Sequence, residues 1–334
     1  MKTIIIAEIG NTHEGSIFLA KKMMDSAARC GADIIKFQTH IFDSESLDNA
    51  LTPYYFSEES RKSYLTRTSF TLEELKELKK HCEENLHKVF MSSSFSIDAI
   101  DLLEKIDVKY HKVPSGEVNN IPFLIKLAKT KKTIILSSGM SYIAELDKAV
   151  ETLMKNGCPK IILLQCTSAY PCTPEKSGLR YIREFKERYN LEIGLSDHTL
   201  GNEIAFASVA LGATYVEKHF TLSKDMYGSD AHLSSEPSEF KAMVDGIRKI
   251  DKALSSNYEK DDITKSLDNM KETFEKYIVT KIDLKKNTII KEEYLDYKKS
   301  SEPGILAYNY KEILGKKLNI DISKNNLIKK KNLV

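Results

Sequence analysis

Charge of one sign is missing from this chain. Fifty Lys and Arg against 48 Asp and Glu leave a net charge of +2, so no global electrostatic case exists for nucleic acid or a membrane surface. The basic run Lys329–Lys331 reads as a solvated terminus. Long apolar runs are missing too: none approaches the roughly 20 residues of a membrane span. The short apolar stretch in MKTIIIAEIG is too brief for a secretory h-region and reads as a first buried strand. Metal-type cysteine spacing is absent. The five cysteines, Cys30, Cys82, Cys158, Cys166 and Cys172, are odd in number and form no CxxC, which points to reduced thiols and a cytoplasmic protein. No GxGxxG follows any strand-like run, which argues against a doubly wound dinucleotide-binding sheet.

What is present has a rhythm. The 334 residues are 41% hydrophobic and 29% charged, as expected of a globular enzyme with a full core. Short apolar, β-branched runs recur at Thr3–Ala7, Asp33–Phe37, Lys88–Met91, Tyr110–Val113, Thr133–Leu136, Ile161–Leu164, Leu191–Leu195 and Thr214–Val216. Such runs suit parallel strands buried on both faces. Helical periodicity separates them, as in Ile17–Ala28, closed by Gly31, and in Asn202–Leu211. Thr71 and Glu74 form a capping box, and Pro237 opens a closing helix through Leu254. About eight strand–helix units in about 250 residues predict a (β/α)8 TIM barrel over residues 1–254. One long polar stretch, Thr39–Ser69 with Tyr54, Tyr55, Phe56 and Tyr64, reads as a functional loop or one with small elements of its own. Residues 255–276 read as a linker with helical content. Residues 277–334, with β runs at Tyr277–Thr280 and Thr288–Ile290 and a short helix near Tyr310–Leu314, read as a small β-rich second domain.

In barrels, active sites lie at the C-terminal ends of the strands, and here those ends are polar one after another. Ser196-Asp197-His198 and Glu217-Lys218-His219 close adjacent strands. Their imidazoles are either hydrogen-bonded structural groups or ligands of Zn²⁺, Mn²⁺ or Co²⁺, with Glu217 or Asp230 contributing or lying behind them. Lys36 and Lys112, with Ser93, Ser115 and Ser196, are either partners of nearby carboxylates, a phosphate and carboxylate pocket, or a Schiff-base site. Glu8 and Glu117 are either general bases with raised pKa or plain ion-pair partners. Tyr170 faces a substrate or packs over the barrel top, and Cys166 reads as a small buried hydrophobe.

Several motifs in order resemble the sialic acid (nonulosonate) synthases: AEIGNTHEG at Ala7–Gly15, KFQT at Lys36–Thr39, KVPSGE at Lys112–Glu117, SSGM at Ser137–Met140, CTSAYP at Cys166–Pro171, GLSDHT at Gly194–Thr199 and EKHFTL at Glu217–Leu222. The tail through LGKKL at Leu314–Leu318 resembles that family's antifreeze-like (SAF) domain. The resemblance implies a metal-dependent condensation of phosphoenolpyruvate with an N-acetylmannosamine-type sugar, or with a diacetamido-trideoxy hexose, by a domain-swapped homodimer. It implies that His198 and His219 hold the divalent ion, Mn²⁺ ahead of Mg²⁺ or Co²⁺. Lys36, Ser93, Lys112, Ser115, Ser168 and Ser196 would hold phosphoenolpyruvate. Gln38, Glu117, Tyr170 and Asp230 would face the sugar, and Glu8 and Glu117 would be the catalytic carboxylates. Three positions depart from the family pattern. Ser168 stands where Asn is common, and SSSF replaces STPF after the third strand. Lys299 lies where the small domain usually carries an Arg, and it lacks the planar fork.

Overall fold

A computed structural model describes residues 2–52, 59–228 and 230–334; Tyr54, Tyr55 and Phe56 lie outside the described residues. The chain divides into two compact units, 1–256 and 257–334.

The first unit is a closed barrel of eight parallel strands in sequence order. They are β1 (Ile4–Gly10), β2 (Ile34–Thr39), β3 (Val89–Ser94), β4 (Tyr110–Val113), β5 (Thr133–Ser137), β6 (Ile161–Cys166), β7 (Glu192–Asp197) and β8 (Tyr215–His219). β8 pairs with β1 to close it. Side chains alternate across a strand, and this decides what each face meets. Outward residues such as Ile5, Ala7, Ile35 and Phe37 pack with Met23, Met24 and Ala27 of the helix Ile17–Arg29. A second outer cluster joins Val113, Ile134, Leu136 and Leu163 to Phe123, Leu127 and Leu153. Inward residues Ile6, Ile34, Met91, Ile135, Ile162, Leu164 and Tyr215 plug the barrel.

Most strands run two or three residues past their apolar cores. Glu8, Gln38, Ser94, Ser137, Cys166, Asp197 and His219 are in the strands themselves, where the sequence suggested loops. Their backbones stay in the ladder whatever the side chain. The Thr71–Glu74 capping box forms, and the helix Pro237–Leu254 starts and stops where the sequence places it. The long polar stretch carries the short helices Phe42–Glu45 and Arg61–Thr68.

The second unit holds the helices Lys260–Lys265 and Asp268–Phe274, then an antiparallel pair, β9 (Tyr277–Thr280) and β10 (Leu295–Lys298). Its own core includes Ile278, Leu284, Ile290, Leu295, Ile305, Leu318 and Ile328. Thr288–Ile290 is not a strand but a single bridge, Ile289 to Lys317, and the expected helix near Tyr310 is a 3-10 turn, Ala307–Glu312. Among the described residues no helix is long and apolar enough to cross a membrane.

Candidate active site

One step above the apolar plug, the next inward residue on each strand is polar. These are Glu8, Lys36, Ser93, Lys112, Ser137, Cys166, Ser196 and Glu217, and together they floor a cavity of about 590 Å³ at the C-terminal mouth. Every barrel side chain assigned to the site from the sequence lines this cavity: Gln38, Ser115, Glu117, Ser168, Tyr170, His198, His219 and Asp230 complete the set. Ser137, which lies two residues beyond Ile135, was missed although the same period-2 pattern points to it. Asn11, His40 and Arg61 also line the cavity. Arg61 comes from the long polar stretch, where no periodicity marks it.

The floor is an alternating charge network, fully buried. The Lys36 ammonium is 2.7 Å from Glu8 and 3.5 Å from Glu217, and it donates to Ser93 Oγ at 3.2 Å. Lys112 lies 3.6 Å from Glu217 and donates to Ser137 Oγ at 2.6 Å. Glu217 accepts from Ser196 at 3.0 Å, so it serves the lysines and one hydroxyl. Burial alone would lower Lys36, but Glu217 and Glu8 hold it above the ordinary lysine value. Burial lowers Lys112, against the pull of Glu217. Burial opposes ionisation of Glu217, yet Lys112 and Lys36 hold it down at about 2. Burial raises Glu8 despite Lys36, and burial raises Glu117. Gln38 Nε2 donates to Glu8 at 2.9 Å, above a break in the β1–β2 register between Glu8 and Gly10. Gly10 has φ +59, and a Cβ there would come 3.1 Å from Asp230 Oδ2. The bulge thus brings two walls together where only glycine fits.

Over the floor stand the two imidazoles, with ring centroids 5.4 Å apart. Tyr170 packs against both, at 4.4 Å from His198 and 6.0 Å from His219. His198 Nδ1 donates to the Thr167 carbonyl at 2.9 Å; burial alone would lower His198, but Cys166 raises it to about 9, so an ion bound at Nε2 would displace a proton. His219 is largely buried, and that burial lowers it to about 4, so it is a neutral imidazole. Its buried Nδ1 has no hydrogen-bond partner and lies 3.8 Å from Asp230 Oδ2. A neutral imidazole with an orphaned nitrogen, beside a second imidazole whose tautomer is fixed, suits a divalent ion. Among the described residues no cluster of three or more His, Cys, Asp or Glu side chains forms a ready-made cage, so water or substrate oxygens would complete the shell.

Cys166 is buried, as the sequence suggested, but its thiol meets polar groups. Its Sγ lies 3.9 Å from His198 Nδ1 and 3.8 Å from Ser115 Oγ. Burial opposes ionisation, but His198 brings the thiol down to about 7. Gly139 closes the same corner. A Cβ there would fall 2.2 Å from Ser168 Oγ and 2.5 Å from Ser115 Oγ, so its bare backbone lets three strand ends converge.

A closed parallel barrel whose mouth gathers buried ammoniums, carboxylates and two imidazoles has the architecture of a (β/α)8-barrel enzyme. Residues 23–259 match the NeuB family, and the chain belongs to that family. It is 39% identical over 324 residues, 94% of this chain and 95% of the relative, to the N,N'-diacetyllegionaminic acid synthase of Campylobacter jejuni. It is 34% identical over 333 residues, 97% and 90% of the two chains, to the N-acetylneuraminate-9-phosphate synthase of Homo sapiens. The crystal structure of N-acetylneuraminic acid synthetase from Leptospira borgpetersenii superposes with a TM-score of 0.70 at 30% identity, covering 82% of this chain and 93% of that one.

Proposed function

We propose that this protein is a nonulosonic acid synthase. It joins phosphoenolpyruvate to the open-chain aldehyde of an N-acetylmannosamine-type sugar, with phosphate as the second product. The observation that carries the reading is the cavity floor, where two buried ammoniums and a ring of hydroxyls lie directly beneath two imidazoles. In a site closed to water, such donors hold an anionic substrate strongly.

Lys36 and Lys112, with Ser93, Ser115, Ser137, Ser168 and Ser196, bind and orient phosphoenolpyruvate. Gln38, Glu117, Tyr170 and Asp230 face the sugar. His198 and His219 would hold a divalent ion, Mn²⁺ ahead of Mg²⁺ or Co²⁺, whose chemistry is Lewis-acid polarisation of the aldehyde oxygen. The C2=C3 π pair of the enol phosphate attacks the aldehyde carbon through C3; the C–C bond forms as the aldehyde C=O π bond breaks, the aldehyde oxygen becomes an alkoxide, and C2 becomes an oxocarbenium. Water adds at C2. Glu117, raised by burial, takes the proton of that water. Glu117 passes that proton to the alkoxide; the C2–O bond to phosphate then breaks, the remaining C2 hydroxyl gives up its proton to the departing phosphate, and the 2-keto acid remains. Glu8 keeps Lys36 charged throughout, which is the anion-binding state and not the nucleophilic one.

The second unit is read as the antifreeze-like SAF domain, on the strength of its small antiparallel pair and its Leu314–Leu318 segment. A domain-swapped homodimer would cover the barrel mouth, where Met140, Tyr142, Leu200 and Tyr227 are exposed on loops after β5, β7 and β8. The five free cysteines support a cytoplasmic setting. A diacetamido-trideoxy hexose is the second candidate sugar, favoured by the 39% identity to a diacetyllegionaminic acid synthase.

The test is phosphate release from phosphoenolpyruvate with N-acetylmannosamine and with a diacetamido-trideoxy hexose, in EDTA and after Mn²⁺ addition. Metal-dependent release with one sugar is expected and names the substrate. A folded, metal-supplied protein that releases phosphate with neither overturns the reading.

A further inference from the structure

Alternation along β7 and β8 puts Ser196, His198, Glu217 and His219 on the cavity side and leaves Asp197 and Lys218 facing the other way. These two are register partners. Their side chains meet behind the wall at 2.6 Å, almost wholly buried. The Lys218 ammonium also donates to the Thr199 carbonyl at 2.8 Å. Asp197 Oδ1 accepts from the Thr199 amide at 2.9 Å and from its hydroxyl at 2.7 Å. One ion pair therefore grips the residues on both sides of His198 and the residue before His219. His219 Nδ1 accepts or donates no hydrogen bond, so no such bond at that nitrogen fixes the aim of the ring and its backbone placement carries more of it.

A buried ion pair adds little net stability over an apolar pair of similar volume. Fold stability alone thus gives no reason to bury one at this spot. We propose that Asp197 and Lys218 are positioning residues that fix the separation of His198 and His219, and so set the affinity of the site for its divalent ion. The inference rests on the metal-binding reading above. Neither residue touches substrate; they act through the two strand ends, as outer hydrogen-bond partners of metal ligands do.

The experiment is Mn²⁺ titration of the full chain, followed by the loss of the free-ion electron paramagnetic resonance signal, alongside thermal melting. Lys218→Arg keeps charge and donors and should bind Mn²⁺ within about 3-fold of the parent protein. Asp197→Leu with Lys218→Met removes the pair without leaving a lone charge. It should melt near the parent yet bind Mn²⁺ about 10- to 100-fold more weakly. If that double variant does not fold, Thr199→Val removes a single donor and should weaken Mn²⁺ by about 3- to 10-fold. Variants that bind Mn²⁺ like the parent overturn this proposal alone. A parent chain that binds no Mn²⁺ overturns it together with the metal reading.

Discussion

Lys36 and Lys112 bring the same charge into the same cavity with unequal consequences for the fold. Lys36 lies between two carboxylates that raise it above its ordinary value. Its charge therefore stabilises the folded chain at all pH below its unfolded value. Lys112 is lowered by burial even against the pull of Glu217, yet it helps hold Glu217 ionised, so its charge contributes less to the fold than that of Lys36. Lys36→Met should cost about 3 kcal/mol or more, as breaking a buried pair does, read as a lowered urea midpoint. Lys112→Met should cost less than Lys36→Met, because Glu217 keeps Lys36 as a partner, while the phosphoenolpyruvate KM rises about 10- to 100-fold, the loss of a charge-assisted anion contact. Equal destabilisation by both would refute the contrast. His13 makes a separate pH prediction. Burial, with its ring stacked 4.3 Å from Phe70, lowers it to about 3. Below the unfolded value near 6.5 the unfolded chain takes up a proton that the folded chain refuses. Stability should thus fall as pH drops from 6.5 toward 3. His13→Phe keeps an aromatic stack but cannot titrate. Between pH 7 and pH 5 its stability loss should be smaller by roughly 2 kcal/mol, measured by urea unfolding; an unchanged loss would rule His13 out as the source.

At the scale of the element, the barrel was legible because each strand has to be apolar on both faces below its polar end, a pattern few other structures require. Tyr110–Val113 ends where its apolar run does, because Pro114 follows at once. β1 does not: its ladder continues through Glu8 to Gly10, since backbone pairing is indifferent to side-chain polarity. That same period 2 made the floor legible, from Glu8 and Lys36 round to Ser196 and Glu217, and it was under-used at Ser137. Arg61 and His40 were not legible. They reach the cavity through the tertiary path of a long loop, with His40 pinned to Glu45 at 2.9 Å and stacked 4.0 Å from Phe95, and nothing periodic announces such a path. The second unit was legible only in outline. Its core is assembled from isolated bridges such as Leu284–Ile322 and Leu318–Leu333, whose partners are too far apart in sequence for any local pattern to reveal.

At the scale of the whole molecule, the question is what covers the mouth. The oxocarbenium proposed above has to be shielded from water until the right molecule adds, and Met140 and Tyr142 are exposed on the segment after β5. A symmetric pair of chains, each lending its second unit to the other's barrel, would meet that need. Sedimentation should then give a particle of twice 38.0 kDa. A sharper check uses two inactive proteins. His198→Ala keeps the second unit but spoils the barrel's imidazole pair. A chain ending at Ser256 keeps that pair and lacks the second unit. Mixed and allowed to exchange, the intact barrel of the short chain should regain phosphate release under the second unit of the full chain. A short chain that is fully active alone would show that the mouth needs no cover. Its failure to regain activity in hybrids that demonstrably form would show that the cover, if needed, comes from the same chain.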